Sequence, residues 1–175
     1  MRKNSPDSPF FQKSIIQSDF GTIDYSDVFS AEIPNPHHYS IDYLAANLFG
    51  SSPRWVTVLF AVRNFIVGWF GLKSGNATKI SRPDPAVYYP VGSTVSLFRV
   101  ESRTDNEIIL GEKDKHLNFR TGILLEPIND TTIRLYSSTL VRYNNSFGKF
   151  YFFFVKPFHR IIVRNMLKRV VKQIA

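Results

Sequence analysis

The rhythm of apolar and polar positions changes several times along this chain, and each change marks an element. From Asp24 to Ile33 the apolar positions Tyr25, Val28, Phe29, Ala31 and Ile33 follow an imperfect two-residue period, that of a strand, until Pro34-Asn35-Pro36 stops it. This first strand is expected at a sheet edge, or paired late. Ser40 then offers an N-cap and Asp42 a first-turn charge, and Ile41, Leu44, Ala45 and Leu48 make a helical stripe that ends at Gly50. Ser52-Pro53 repeats the start signal. Trp55, Leu59, Val62, Ile66, Trp69 and Phe70 follow at helical spacing up to Gly71.

Residues 73–92 hold Gly75, Asn76, Pro83, Pro85, Pro90 and Gly92 without a sustained period, which predicts a long loop with an extended piece from Val87 to Tyr89. Strand signals then run from Val95 to Glu101, Glu107 to Glu112, Leu117 to Glu126 and Thr132 to Arg142. Their short polar connections predict an antiparallel meander. In the strand from Leu117, the residues Leu117, Phe119, Thr121, Ile123 and Leu125 share one face, while His116, Asn118, Arg120, Gly122 and Glu126 share the other. One face is thus expected in the core and the other in water.

The last segment carries Tyr151, Phe154, Phe158, Ile161, Ile162, Met166, Val170 and Ile174 as a helical apolar stripe, with Pro157 expected to kink or break it. A one-sided sheet needs an apolar partner, and this helix is the strongest available. The reading is an α+β fold: a curved antiparallel sheet wrapped around a long carboxyl-terminal helix, with two short helices after the first strand. Residues 1–20 show no persistent period and are expected as a flexible arm, leaving 21–175 as a single domain.

Composition sharpens this picture in a few places. A length of 175 residues with 43% hydrophobic content suits one domain with a substantial core. The 16 Phe, 8 Tyr and 2 Trp fit either a lined cavity or a well-packed interior. The absence of cysteine excludes disulfides, thiolate metal sites and cysteine nucleophiles. Asn4 to Pro9 is not the apolar run of a secretory signal, so a cytoplasmic location is expected. The apolar stretch from Val56 to Leu72 has Arg63 and Asn64 at its middle. An arginine at a bilayer centre costs about 2.5 to 3.5 kcal/mol on insertion scales, which favours a helix outside the membrane.

The net charge of +8 admits an acidic partner: nucleic acid, anionic lipid or an anionic ligand. Lys156, Arg160, Arg164, Lys168 and Lys172 recur every four residues, which is one stripe of a helix and reads as a solvated face. Nucleic-acid binding would need stacking aromatics interleaved with that stripe, whereas the helical phase sets them opposite it. An anionic membrane surface makes fewer demands, with the aromatic run as the apolar contact. The seven-residue run Phe150 to Lys156 holds too many Phe and Tyr in succession for one helix face, so part of it must meet solvent, a ligand or a partner.

The order strand, two helices, meander, long helix resembles the helix-grip fold of the START-like, or SRPBCC, superfamily. Within it, Glu107-Ile108-Ile109-Leu110-Gly111, Lys115-His116-Leu117-Asn118-Phe119-Arg120, and Gly148 followed by Tyr151 and Pro157-Phe158-His159-Arg160 are similar to the domain of unknown function 2867, over residues 24–172. The resemblance implies a hydrophobic ligand cavity between sheet and terminal helix, and it implies no activity.

No nucleophile, phosphate or metal motif stands out, so neither enzyme chemistry nor a cofactor is expected. His37-His38 with Asp42 fails as a metal set, because adjacent histidines point different ways and Asp42 is explained as a helix-start charge. His116 and Arg120, with Asn118 between them, form a polar row able to meet an anion, though a solvated face pairing with Arg134 or Glu107 is the plainer reading, since antiparallel sheets normally show such rows. His159, between Lys156 and Arg160, suits a neutral base, but no carboxylate partner is apparent, and capping the rim of a core is the plainer role. The leading reading is a domain that binds a small apolar or amphipathic molecule between sheet and last helix. Trp55, Leu59, Trp69, Phe119 and Phe158 would form the wall, His116, Arg120, Tyr136 and His159 would supply polar selectivity, and the loop from Lys73 to Gly92 would be the cover. A cyclase- or dehydratase-like enzyme and a membrane-surface or protein-interaction module without a cavity are the alternatives.

Overall fold

Short polar turns leave consecutive strands no route but to pair antiparallel, and the computed structural model, which describes residues 9–50 and 82–174, has that arrangement. Strands β1 (Tyr25–Pro34), β2 (Thr94–Val95), β3 (Phe98–Arg103), β4 (Glu107–Lys113), β5 (Leu117–Asn129) and β6 (Thr132–Tyr143) form one open six-stranded sheet in the order β1-β6-β5-β4-β3-β2. The first strand is indeed an edge and joins last in sequence terms, pairing with β6 from Tyr25↔Val141 to Pro34↔Thr132. Helices α1 (Pro9–Lys13), α2 (Ile41–Gly50) and α3 (Ser146–Ile174), with a 3-10 turn over Ile15–Gln17, complete the described elements. The expected second helix, with Trp55, Leu59 and Trp69, and the part of the loop before Arg82 lie outside the described residues.

The main core lies where α2 and the second half of α3 cover one face of the sheet. Ile33, Ile108, Leu110, Ile123, Ile133 and Leu135 meet Leu44, Leu48, Val163, Leu167 and Val170 there. A bidentate ion pair fastens α2 and the segment after Arg82 to β3: Arg103 Nη1 and Nη2 donate to Asp42 at 2.8 and 2.9 Å, and the Tyr89 N–H donates to the same carboxylate at 2.9 Å. Burial alone would raise the Asp42 pKa, but these hydrogen bonds and the charge of Arg103 outweigh it and hold the carboxyl below its ordinary range. Asp42 is thus engaged with Arg103 and not turned toward His37, whose ring packs edge-on to Tyr39.

Three expectations need correction. The sheet is covered on both faces, because residues 9–20, expected as a free arm, pack on the side away from α3: Phe10, Phe11, Ile16 and Phe20 are buried against Ile109 and Leu140. Glu107 anchors them, accepting from Ser14 Oγ at 2.5 Å and from the Ile15 N–H at 2.9 Å, and burial raises its pKa. Strand alternation cannot foresee a cover supplied by a segment with no period of its own. Of the kink or break expected at Pro157, the break does not occur: α3 runs through it as one helix. Pro157 is exposed, so the carbonyl left without its donor, four residues earlier, faces water rather than core.

The third correction is the phase of α3. Its buried residues are Gly148, Phe152, Val163, Met166, Leu167 and Val170, whereas Phe154 and Phe158 are 54% and 47% exposed. An aromatic run offers a helix two apolar stripes, and their choice depends on what the sheet presents.

Candidate functional site

Beneath the first half of α3 the sheet presents polar side chains. Successive residues of a strand alternate faces, so Tyr25, Asp27 and Phe29 of β1 point toward α3 together with Val141, Thr139 and Ser137 of β6, their register partners. Thr121 of β5 continues the row from Thr139. Asp27, Thr121, Ser137 and Thr139 are all buried, a costly set for a core unless each finds a partner.

Only part of that demand is met. Tyr25 OH donates to Asp27 Oδ2 at 2.5 Å, and Thr121 Oγ1 donates to the Ser138 carbonyl at 3.1 Å. His159 comes down from α3 and places Nε2 3.3 Å from Asp27 Oδ2, close enough for an ion pair when protonated but without hydrogen-bond alignment. Among the described residues, Asp27 Oδ1, Thr139 Oγ1 and His159 Nε2 are buried with no hydrogen-bond partner. Three such atoms meeting in one place, on β1, β6 and α3, form a cluster able to accept from and donate to one further polar group.

The surroundings hold this cluster in place. Phe152 packs on Tyr25 with ring centroids 4.9 Å apart, and Arg160 Nε donates to Tyr25 OH at 3.2 Å. Burial, followed by the hydrogen bond to Asp27, raises the Tyr25 pKa far above its ordinary value, so the phenol stays protonated and remains a donor. The basic stripe of α3 is not simply solvated: Lys156 lies over the Tyr25 ring at 4.9 Å and Arg164 over Phe29 at 5.4 Å. Lys168 and Lys172 are exposed as expected.

The residues singled out from sequence scatter over the fold. Phe119 lies on the α3 side, edge-on to Phe98 at 5.1 Å, and His159 joins the cluster. Arg120 and Tyr136 belong to the opposite face. Arg120 Nε donates to Glu101 at 2.6 Å and its Nη1 reaches the Ser18 carbonyl; Tyr136 OH donates to Glu126 at 2.7 Å beside Phe10. Arg120 and Tyr136 are therefore a structural seam for residues 9–20, and the predicted polar row is divided. His116 sits in the β4–β5 turn against Phe147 and Asn145, and Phe158 faces outward.

The enclosed cavity expected between sheet and helix is not seen among the described residues. Two shallow pockets open elsewhere: about 180 Å³ on the far face near Arg120 and Glu101, and about 310 Å³ between Asn47, Arg82 and Gln173. The residues missed from sequence are Tyr25, Asp27 and Thr139. The available signal was that Asp27 interrupts the apolar rhythm of β1 two residues from Tyr25, on one face.

Comparison with known proteins gives a family and little more. The sequence model of a family described as "Protein of unknown function (DUF2867)" matches residues 20–166. The search of curated proteins found no match. Among solved structures, the crystal structure of a conserved protein from Geobacillus kaustophilus is similar at 12% identity, covering 86% of this chain and 95% of that one, with a TM-score of 0.41.

Proposed function

The chain belongs to the family described as protein of unknown function (DUF2867), and within that family we propose that it is a small-molecule-binding domain of the helix-grip, START-like kind, without catalytic activity. The observation that carries this reading is the convergence of Asp27 Oδ1, Thr139 Oγ1 and His159 Nε2, all buried and without partners among the described residues. A buried carboxylate oxygen left unpaired is costly, and a ligand group that donates a hydrogen bond to it would recover that cost. The ligand class is an amphipathic molecule bearing a hydroxyl or amine. Its polar group meets Asp27 and Thr139, and its apolar part lies along Tyr25, Phe152 and Phe119.

Native mass spectrometry of the purified chain tests this. A co-purifying small molecule is expected in the parent and is expected to be lost in Asp27→Asn with Thr139→Val. A parent that carries nothing, binds no apolar fluorescent probe saturably, and loses no stability in that double variant would remove the reading. A second reading, a cyclase- or dehydratase-like enzyme, draws on the carboxylate–imidazole pair Asp27–His159. Its mark would be turnover abolished in His159→Gln while ligand binding persists.

A further inference from the structure

Helix α3 turns a row of large apolar side chains straight away from the core. Phe150, Phe154, Phe158 and Ile161 recur at intervals of four, four and three residues on one line of the helix. They are 61%, 54%, 47% and 49% exposed, with Phe153 beside them at 72%. Phe150 and Phe153 each meet Phe154 edge-on, with centroids 5.0 and 5.4 Å away. The opposite side of the same helix, through Phe152, Val163 and Val170, is what holds it to the sheet. A contiguous apolar ridge on the outside of a fold marks an interaction surface.

Charge identifies the occupant. Every charged side chain from Ser146 to Ile174 is basic. Exposed Lys168 and Lys172 depart from the opposition expected between aromatics and basic stripe: they lie on the same outward line as Phe150 and Phe154, since 18 residues at about 3.6 per turn return to the same azimuth. Lys149 is exposed next to Phe150. We propose that this face of α3 docks on an anionic lipid bilayer, with the phenylalanine ridge entering the headgroup boundary and the lysines meeting the acidic headgroups. Binding at a bilayer surface sums the apolar area that enters the headgroup boundary and the attraction of nearby basic side chains to acidic lipid, and this face of α3 supplies both.

The same charge disfavours the other occupants. Two copies of this chain meeting through the ridge would bring two purely basic helices together. The chain's own residues 51–81 carry Arg54, Arg63, Lys73 and Lys79 and no acid, so they offer the ridge no complementary charge either.

The test is co-sedimentation of the full chain with vesicles of phosphatidylcholine alone and of phosphatidylcholine and phosphatidylserine in equal parts. Partitioning is expected to be at least about tenfold stronger to the acidic vesicles and to fall as salt is raised. Phe154→Ser with Phe158→Ser should weaken it at least about tenfold while leaving the urea midpoint of unfolding in place, because both side chains lie outside the core. Lys168→Glu with Lys172→Glu should remove the preference for acidic lipid. Equal binding to both vesicles, or binding unchanged in the phenylalanine variant, overturns the proposal. So does a parent that ignores vesicles but forms a dimer that the phenylalanine variant dissolves, or that binds single-stranded nucleic acid instead. Loss of stability in the phenylalanine variant without vesicle binding by the parent would assign the ridge to the chain's own residues.

Discussion

At the scale of single residues, the clearest constraint is Gly148. A Cβ added there would lie 2.0 Å from the His116 carbonyl oxygen and 2.8 Å from its carbon. That carbonyl is held by the Asn144 N–H at 2.8 Å, so the β4–β5 turn cannot retreat freely. Glycine to alanine inside a helix ordinarily stabilises by about 0.5 to 1 kcal/mol. Here Gly148→Ala is expected to destabilise by about 1 to 3 kcal/mol, as overpacking does, read by urea unfolding; a gain in stability would show that the contact is looser than this geometry. The glycine is visible in sequence, but its neighbour His116 is not. The same holds for Asp27, a polar interruption of a strand that acquires meaning only when His159 is placed above it.

At the scale of elements, α3 is where reading and structure part. The helix itself is legible, since its apolar spacing persists from the aromatic run to Ile174. Which stripe is buried is not, because the aromatic run supplies two. Phe152→Ala should therefore cost about 3 to 5 kcal/mol, the range for a buried phenylalanine, and Phe158→Ala within about 0.5 kcal/mol. Parallel urea titrations of the two variants decide it, and the reverse ranking would put the helix in the phase its sequence first implied. The strands behave differently: β4, β5 and β6 emerge with nearly the expected limits, because alternation is counted between neighbours two positions apart and needs no knowledge of the partner.

At the scale of the whole molecule, the sheet works as a divider with a cover on each side. The far cover is residues 9–20, tied down by Glu107 and by the Arg120–Glu101 pair. Removing residues 1–20 should uncover Ile109, Leu140 and Tyr136 and leave Glu107 without the Ser14 and Ile15 donors. The expected outcome is a stability loss of more than about 3 kcal/mol, from burial of several large side chains at about 1.5 to 3 kcal/mol each. A rise in the fluorescence of an apolar-surface dye should accompany it. An unchanged midpoint would return this segment to the role of a free arm. The division of faces also separates the two proposals, since the Asp27 cluster lies under α3 and the phenylalanine ridge on top of it.

The sequence by itself determined β1, α2, β4, β5, β6 and α3 in their order and the antiparallel meander, because period, capping residues and turn length act over a few positions; it ran β2 and β3 together as one strand from Val95 to Glu101 and gave no sign of α1. Family resemblance was legible in the same local motifs. The tertiary structure alone decided which stripe of α3 is buried, which segment covers the far face of the sheet, and which polar groups meet. Those outcomes rest on contacts between distant positions, such as Tyr25 and Arg160, 135 residues apart, and a one-dimensional pattern holds no record of which distant residues the chain will bring together.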